Sequence, residues 1–210
     1  MPIIRTTLLE GFATREQESL LALKLADAVA DTFGDFTRPY IFSLVEEVKP
    51  RTWAVQGQAM TEDMIAAGRV MTAEYLAKKL TADRVGAAYD ALATGDRAVI
   101  EEYFDNEMTW LVPGEAQVSG VKNGLDDFLA FMKVIGDLTA GSFQMERQGI
   151  FVSGDMSVDL SHNTATRAGD SSRALSIDVA HVLRWREGKI IEGRGAIFGT
   201  GTTEYNAFWE

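Results

Sequence analysis

The sequence predicts an α+β chain of two domains: a small strand–helix–strand unit, then a curved sheet folded into a cone around helices. Three observations predict it. The N-terminal stretch alternates strand and helix patterns in a βαβ order. The remainder sets several helices before a meander of long strands, an α+β arrangement. The 210 residues are too many for the first unit alone.

Ile3–Leu9 is an apolar, β-branched run that reads as a strand, and Glu10-Gly11 ends it. Thr14 offers an N-cap, and Gln17 completes a capping box. Leu20, Leu21, Leu23, Leu25, Ala28 and Val29 give the following helix a wide apolar stripe, stopped by Gly34. Tyr40–Val45 reads as a second strand. Thr61–Leu80 is helical in pattern although Gly68 weakens it. The expected division is therefore 1–62, a helical connector over 63–80, and 81–210.

Thr81–Thr94 and Arg97–Phe104 read as helices separated by Gly95-Asp96. Met108–Val112 is a strand closed by Pro113-Gly114. Asp126–Ile135 is a helix with Phe128, Leu129, Phe131, Met132 and Ile135 on its apolar side. Phe143–Val152, Met156–Thr166, Arg173–Arg186 and Lys189–Phe198 are strands, with Glu187-Gly188 as the last hairpin turn. A curved sheet folded around helices makes an apolar pocket at its mouth.

Composition excludes several classes. A net charge of −11 argues against a nucleic-acid partner or an anionic membrane surface, since both need a basic patch. Without cysteine there are no disulfides, thiol chemistry or zinc–thiolate sites. Only His162 and His181 supply imidazole, so neither a metal nor a cofactor is expected. No apolar run is long enough to span a bilayer, and no signal-peptide pattern opens the chain, so a cytoplasmic protein is the default expectation.

Pro2 opens the chemistry. With proline at position two, removal of Met1 is expected, leaving a free secondary amine. Such an amine titrates near about 7.7–8.0, and burial or a nearby cation lowers that value. A neutral amine could then act as a general base. If Met1 stays, Pro2 is an imide nitrogen without basicity, and proline at position two also occurs with no role at all.

Pro2-Ile3-Ile4, Leu9-Glu10-Gly11, the helix after Thr14, and Glu47-Val48 followed by Trp53 and Gly57 resemble the 4-oxalocrotonate tautomerase family. The resemblance runs from Pro2 to about Met60. It implies Pro2 as the catalytic general acid/base and Trp53 as the aromatic beside it. Two arginines of that family, which bind substrate carboxylates, fall on Phe12 and Phe42 here. Arg5, Arg38 or Arg51 could substitute as substrate-binding cations; each also reads as a solvated surface charge. The phenylalanines imply a more apolar ligand, or a domain that keeps its fold and has lost its chemistry. Members assemble from dimers of such units, and a βαβ unit alone buries little surface, so a homo-oligomer is expected.

A second resemblance rests on Tyr89-Asp90-Ala91-Leu92-Ala93-Thr94-Gly95-Asp96, Trp110-Leu111-Val112-Pro113-Gly114, Ser119-Gly120, and Val179-Ala180-His181-Val182-Leu183-Arg184-Trp185 before Gly188-Lys189-Ile190. These are similar to the nuclear transport factor 2 superfold, a cystatin-like α+β cone. Within it they resemble the SnoaL-like polyketide cyclase and ketosteroid isomerase branch, over about 82–209. That resemblance places the isomerase carboxylate base at Val112 and the oxyanion-hole tyrosine at Ala88, with Tyr89 roughly 100° further around the helix. The protonated aspartic acid of that hole aligns with His181.

Ile177, Val179, His181, Leu183 and Trp185 share one strand face, so His181 is an imidazole in an apolar row. It could donate to an enolate or take a proton. It could equally be a core histidine bonded to a carbonyl or water. The expected pocket wall is Trp110, Val112, Val179 and Leu183, with Tyr89 at the mouth. His162 alternates with Met156, Val158 and Leu160 and reads as structural or exposed, or as sharing a cavity face. Asp159 and Asp178 are expected outside, exposed or paired with Arg184.

Both resemblances concern proton movement beside carbonyls. Together they imply an isomerase or tautomerase for an enolisable, largely apolar oxo compound, with the second domain binding, cyclising or isomerising a related intermediate. The alternatives are a non-catalytic ligand-binding or oligomerisation protein, or a chain active only in its first domain.

Overall fold

The structure, a computed structural model, describes residues 2–210. The expected removal of Met1 falls outside the described residues. The chain forms two compact units, the first ending at Ala77 and the second running from Lys78 to Glu210.

The first unit opens with β1 (Ile3–Leu9), α1 (Arg15–Phe33) and β2 (Phe42–Val48). The capping box forms as the sequence spells it. Thr14 Oγ1 accepts from the Gln17 amide at 3.3 Å, and Gln17 Oε1 accepts from the Thr14 amide at 2.9 Å. β1 and β2 pair in parallel, from Ile3 opposite Phe42 to Leu9 opposite Val48, completing a βαβ unit. β2 begins later than the expected Tyr40 because Pro39 sits in a 3-10 turn spanning Asp35–Tyr40. An unforeseen hairpin follows, β3 (Ala54–Val55) and β4 (Gln58–Ala59), turned by Gln56 and Gly57 at φ of 52° and 82°. In α2 (Glu62–Lys78), Gly68 leaves room for an aromatic ring: a Cβ there would meet Phe12 at 3.2 Å. Among the described residues of this unit only Ala30 and Ile65 are buried.

The second unit comprises α3 (Ala82–Thr94), α4 (Arg97–Ile100), β5 (Phe104–Val112), β6 (Gly120–Asn123), α5 (Gly124–Thr139), β7 (Gln144–Ser153), β8 (Met156–Arg167), β9 (Asp170–Arg186), β10 (Lys189–Ile197) and α6 (Gly201–Trp209). The strands form one sheet in the order β6-β5-β10-β9-β8-β7. All its pairs are antiparallel except β10 with β5. The helix expected over Arg97–Phe104 stops at Ile100 because the sheet draws the chain away from it. Phe104 pairs with Ile190, and the Ile190 amide donates to the Tyr103 carbonyl at 2.7 Å. The short β6 and the terminal α6 carried too little periodicity to be expected.

Val85 of α3, Phe104 of β5, Phe128 of α5, Leu183 of β9 and Trp209 of α6 meet in one core. The architecture is the α+β cone that the sequence predicts. No helix among the described residues is long and apolar enough to cross a membrane.

One close approach fixes the wall of this cone. Gly193 lies opposite Trp110, and a Cβ at Gly193 would stand 2.1 Å from the indole. Gly193→Ala should therefore cost about 1–3 kcal/mol, the usual range for overpacking. Gly136→Ala in α5, whose Cβ meets nothing within 4 Å, should gain about 0.5–1 kcal/mol from helix propensity. Urea midpoints of the two variants check this; equal midpoints would contradict it.

Candidate functional site

The second unit encloses a cavity of about 430 Å³. β5 contributes Trp110 and Val112, β9 contributes Val179 and His181, and α3 contributes Tyr89. α5 and α6 close it with Phe128 and Trp209 among others. Leu183, expected in the wall, is instead fully buried in the core. Trp110 stacks on Phe128 at 4.7 Å between centroids and presents its edge to His181 at 5.4 Å.

Tyr89 Oη lies 3.1 Å from His181 Nδ1, and the two rings stack at 5.9 Å. Ala88, where the isomerase resemblance places the tyrosine, is fully buried, and the neighbouring Tyr89 makes the contact. Burial holds the His181 imidazole down at about 4. Burial, followed by the nearby Asp159 charge, pushes the Tyr89 phenol well above its ordinary value, with Arg147 opposing. Both groups are therefore neutral near pH 7. Whichever way the shared proton points, the pair keeps one outward donor, a phenol O–H or an imidazole N–H.

The inner face of β8 corrects the expectation for Asp159. Opposed residues of an antiparallel pair share a face, and Asp159 lies opposite His181. Asp159 is thus inside and has no solvent access. It pairs with Arg147 rather than Arg184, accepting from Nε at 3.1 Å on Oδ1. Burial raises the Asp159 carboxyl, and Arg147 opposes that rise. Ser161 and Asn163 follow on the same inner row; Asp159 Oδ2, Ser161 Oγ and Asn163 Oδ1 have no protein partner.

Arg147 reaches this face through a bulge. Ile150 pairs with Asp159, but the register shifts between Gly149 and Arg147, leaving Gln148 unpaired and setting Arg147 opposite Ser161. His162 lies on the other face, bonded through Nδ1 to Asp178 at 2.8 Å and through Nε2 to Ser176 at 3.2 Å. That series is on the open side of the sheet, where Ser176 and Asp178 are exposed.

In the first unit the Pro2 carbonyl accepts from the Phe42 amide at 3.1 Å, which places Phe42 beside the chain start. Phe42 and Phe12, where the tautomerase resemblance sets two arginines, are 50% and 38% exposed. Trp53 is 36% exposed at the hairpin, where its carbonyl accepts from the Met60 amide. Arg51 is exposed in a short 3-10 turn (Pro50–Thr52), and Arg5 is exposed on β1. Arg38 is engaged by Asp27 and by Asp35, the latter at 3.2 Å. Among the described residues no group of three His, Asp or Glu side chains is placed to hold a metal.

The family model of a SnoaL-like domain matches residues 85–193, and that of a tautomerase enzyme matches residues 2–63. Bal32a, from a soil-derived mobile gene cassette, is 25% identical over 65% of this chain and 99% of its own, with a TM-score of 0.56. A cystatin-like protein of unknown function from Xanthomonas campestris is 24% identical over 60% of this chain and 95% of its own, at a TM-score of 0.53. An NTF2-like protein of unknown function from Burkholderia pseudomallei is 19% identical over 60% and 95%, at 0.52. The last two show the fold alone. No curated protein matches the chain. The two family matches support isomerase- or tautomerase-type activity in broad terms.

The depressed His181 value has a measurable consequence for stability. Between about 6.5 and about 4 the unfolded chain binds a proton at this imidazole and the folded chain does not. Its contribution is complete above the unfolded value and is lost as the pH falls toward 4, up to about 3 kcal/mol. Unfolding free energies of wild type and His181→Gln, compared at pH 7 and pH 4.5, should show the steeper loss in wild type. Parallel curves would contradict the burial of a neutral imidazole.

Proposed function

Because the chain belongs to the SnoaL-like family and carries a tautomerase domain ahead of it, we propose that it is an isomerase for an enolisable, largely apolar oxo compound. The observation that carries this reading is the neutral Tyr89–His181 pair in an apolar cavity. The substrate oxygen accepts the pair's outward hydrogen bond. Where an enol or enolate presents negative charge on that oxygen, a fixed donor already waits for it in a largely apolar cavity. The donor's high proton affinity favours hydrogen bonding over complete transfer from Tyr89.

Val112 occupies the position of the isomerase carboxylate, so the cavity holds and stabilises an enol or enolate without a base at that position. In the tautomerase domain Pro2 shuttles a proton between carbon and oxygen of a substrate bound there. There Phe12 and Phe42 favour an apolar substrate over a dicarboxylate. The two domains treat related compounds, each at its own site, with no nucleic-acid or membrane partner. We also propose a homo-oligomer, because the first unit leaves Ile3, Phe42 and Leu44 uncovered on one sheet face.

Wild type should ketonise phenylpyruvate enol, and Pro2→Ala should not; equal rates would remove the proline from the mechanism. On the substrate of the cavity, His181→Ala should lower turnover by roughly 10²–10⁴-fold, the usual share of a general acid/base or donor. A change in affinity alone would make the second domain a binding module. Sedimentation should show at least a dimer at micromolar concentration, and a 23.0 kDa species would refute the assembly.

A further inference from the structure

The polar end of the cavity is built around one cation. Among the described residues, Arg147 is the sole Lys or Arg lining it. Two features hold its guanidinium. Asp159 takes Nε at 3.1 Å from a site without solvent access. The guanidinium carbon lies 5.4 Å from the Tyr89 ring centroid. The bulge at Gln148 turns the residue inward.

With Nε committed, the two Nη groups remain, and their parallel N–H bonds form the edge that matches two oxygens of one carboxylate. Asn163, also in the cavity wall, is 5% exposed, and its Oδ1 has no partner. Asn163 follows Ser161, the partner of Arg147, on the inner row of β8, and its amide oxygen and nitrogen are interchangeable by a flip. A buried polar group left without a partner is costly, so this end of the cavity asks for a polar ligand group. The body of the cavity, with Phe128, Met132 and Ile135, asks for an apolar one.

We infer that the cavity takes an apolar molecule bearing a single carboxylate, held by Arg147 and Asn163 against β7 and β8. This refines the substrate class of the site proposed above. It rests on the cavity being a ligand site, and not on any chemistry occurring there. The Arg147–Asp159 pair is neutral as a whole, so a carboxylate adds one negative charge, carried by charge-assisted bonds from the guanidinium, whereas a phosphate dianion would add two in an apolar space. Asp159 acts as a positioning residue, fixing the guanidinium plane without touching the ligand.

Calorimetric binding of 2-naphthoate and of its neutral isostere 2-naphthamide to the full chain tests the inference. Wild type should bind the carboxylate at least about 10-fold more tightly than the amide, the value of a charge-assisted pair. Arg147→Met should abolish that preference while leaving amide affinity within about threefold. Arg147→Lys, which keeps the charge without the fork, should retain part of it, and serves if the methionine variant fails to fold. Asn163→Leu should reduce the preference by a smaller factor. Equal binding of the two probes by wild type, or a preference unchanged in both Arg147 variants, would overturn the carboxylate assignment and leave the enol reading standing. Failure of both probes to bind would overturn the cavity as a ligand site and this inference with it.

Discussion

A carboxylate that cannot reach water sets the terms for the second domain. Asp159 has no solvent access, and an ionised group so placed needs a partner of opposite charge. Arg147 is that partner, and it is available because β7 gains one unpaired residue at Gln148. The same guanidinium lies over Tyr89, Tyr89 meets His181, and His181 meets the edge of Trp110. Trp110 in turn occupies the space that Gly193 leaves by having no side chain. A charge pair, a neutral hydrogen-bonded pair and an indole seated on a glycine therefore form one continuous wall. Removing Arg147 would leave the Asp159 charge buried without a partner, so the wall tolerates little local change there.

Local signals were legible in the sequence. The Thr14–Gln17 capping box, the β1 boundaries and the Glu187-Gly188 turn all appear as their residues spell them. The faces of β8 were not. Alternation tells which residues share a face, but not which face is inside. Val158 and Leu160 are apolar and look like the inner row, yet the inner row is Asp159, Ser161 and Asn163. Pairing with β9 settles the matter, and pairing is a long-range property. Arg147 was hidden for a related reason. Counting back from the β7–β8 turn without the bulge sets it on the outer face, and only a register shift brings it in. Gly149 beside the bulge was the one available hint, since glycine inside a strand pattern often marks such a site. The tyrosine that lines the cavity, Tyr89, is one helical position from Ala88, where the resemblance sets one.

The first domain shows the complementary limit. Its βαβ topology follows directly from sequence pattern, but topology carries no substrate. The chemistry proposed for it depends on Pro2 and on its surroundings. Of the three candidate cations in this unit, Arg38 is tied to Asp27 and Asp35, while Arg5 and Arg51 are exposed. Its sheet leaves Ile3, Phe42 and Leu44 exposed on one face, and Phe12 is exposed as well.

The strand order of the second sheet bears on how that domain comes into being. β10 lies between β5 and β9, although it is the last strand in the chain. The β7–β9 meander can form from neighbouring segments, and so can the β5–β6 pair. Neither can join the other until β10 slots between them, and its parallel match to β5 spans most of the domain's length. Long loop closures of this kind are slow because chain entropy is lost before contacts repay it. The cavity draws walls from both halves, with Trp110 on β5 and His181 on β9. It therefore exists only once the last strand is seated, and a bound ligand biases the chain toward that completed arrangement and no earlier one.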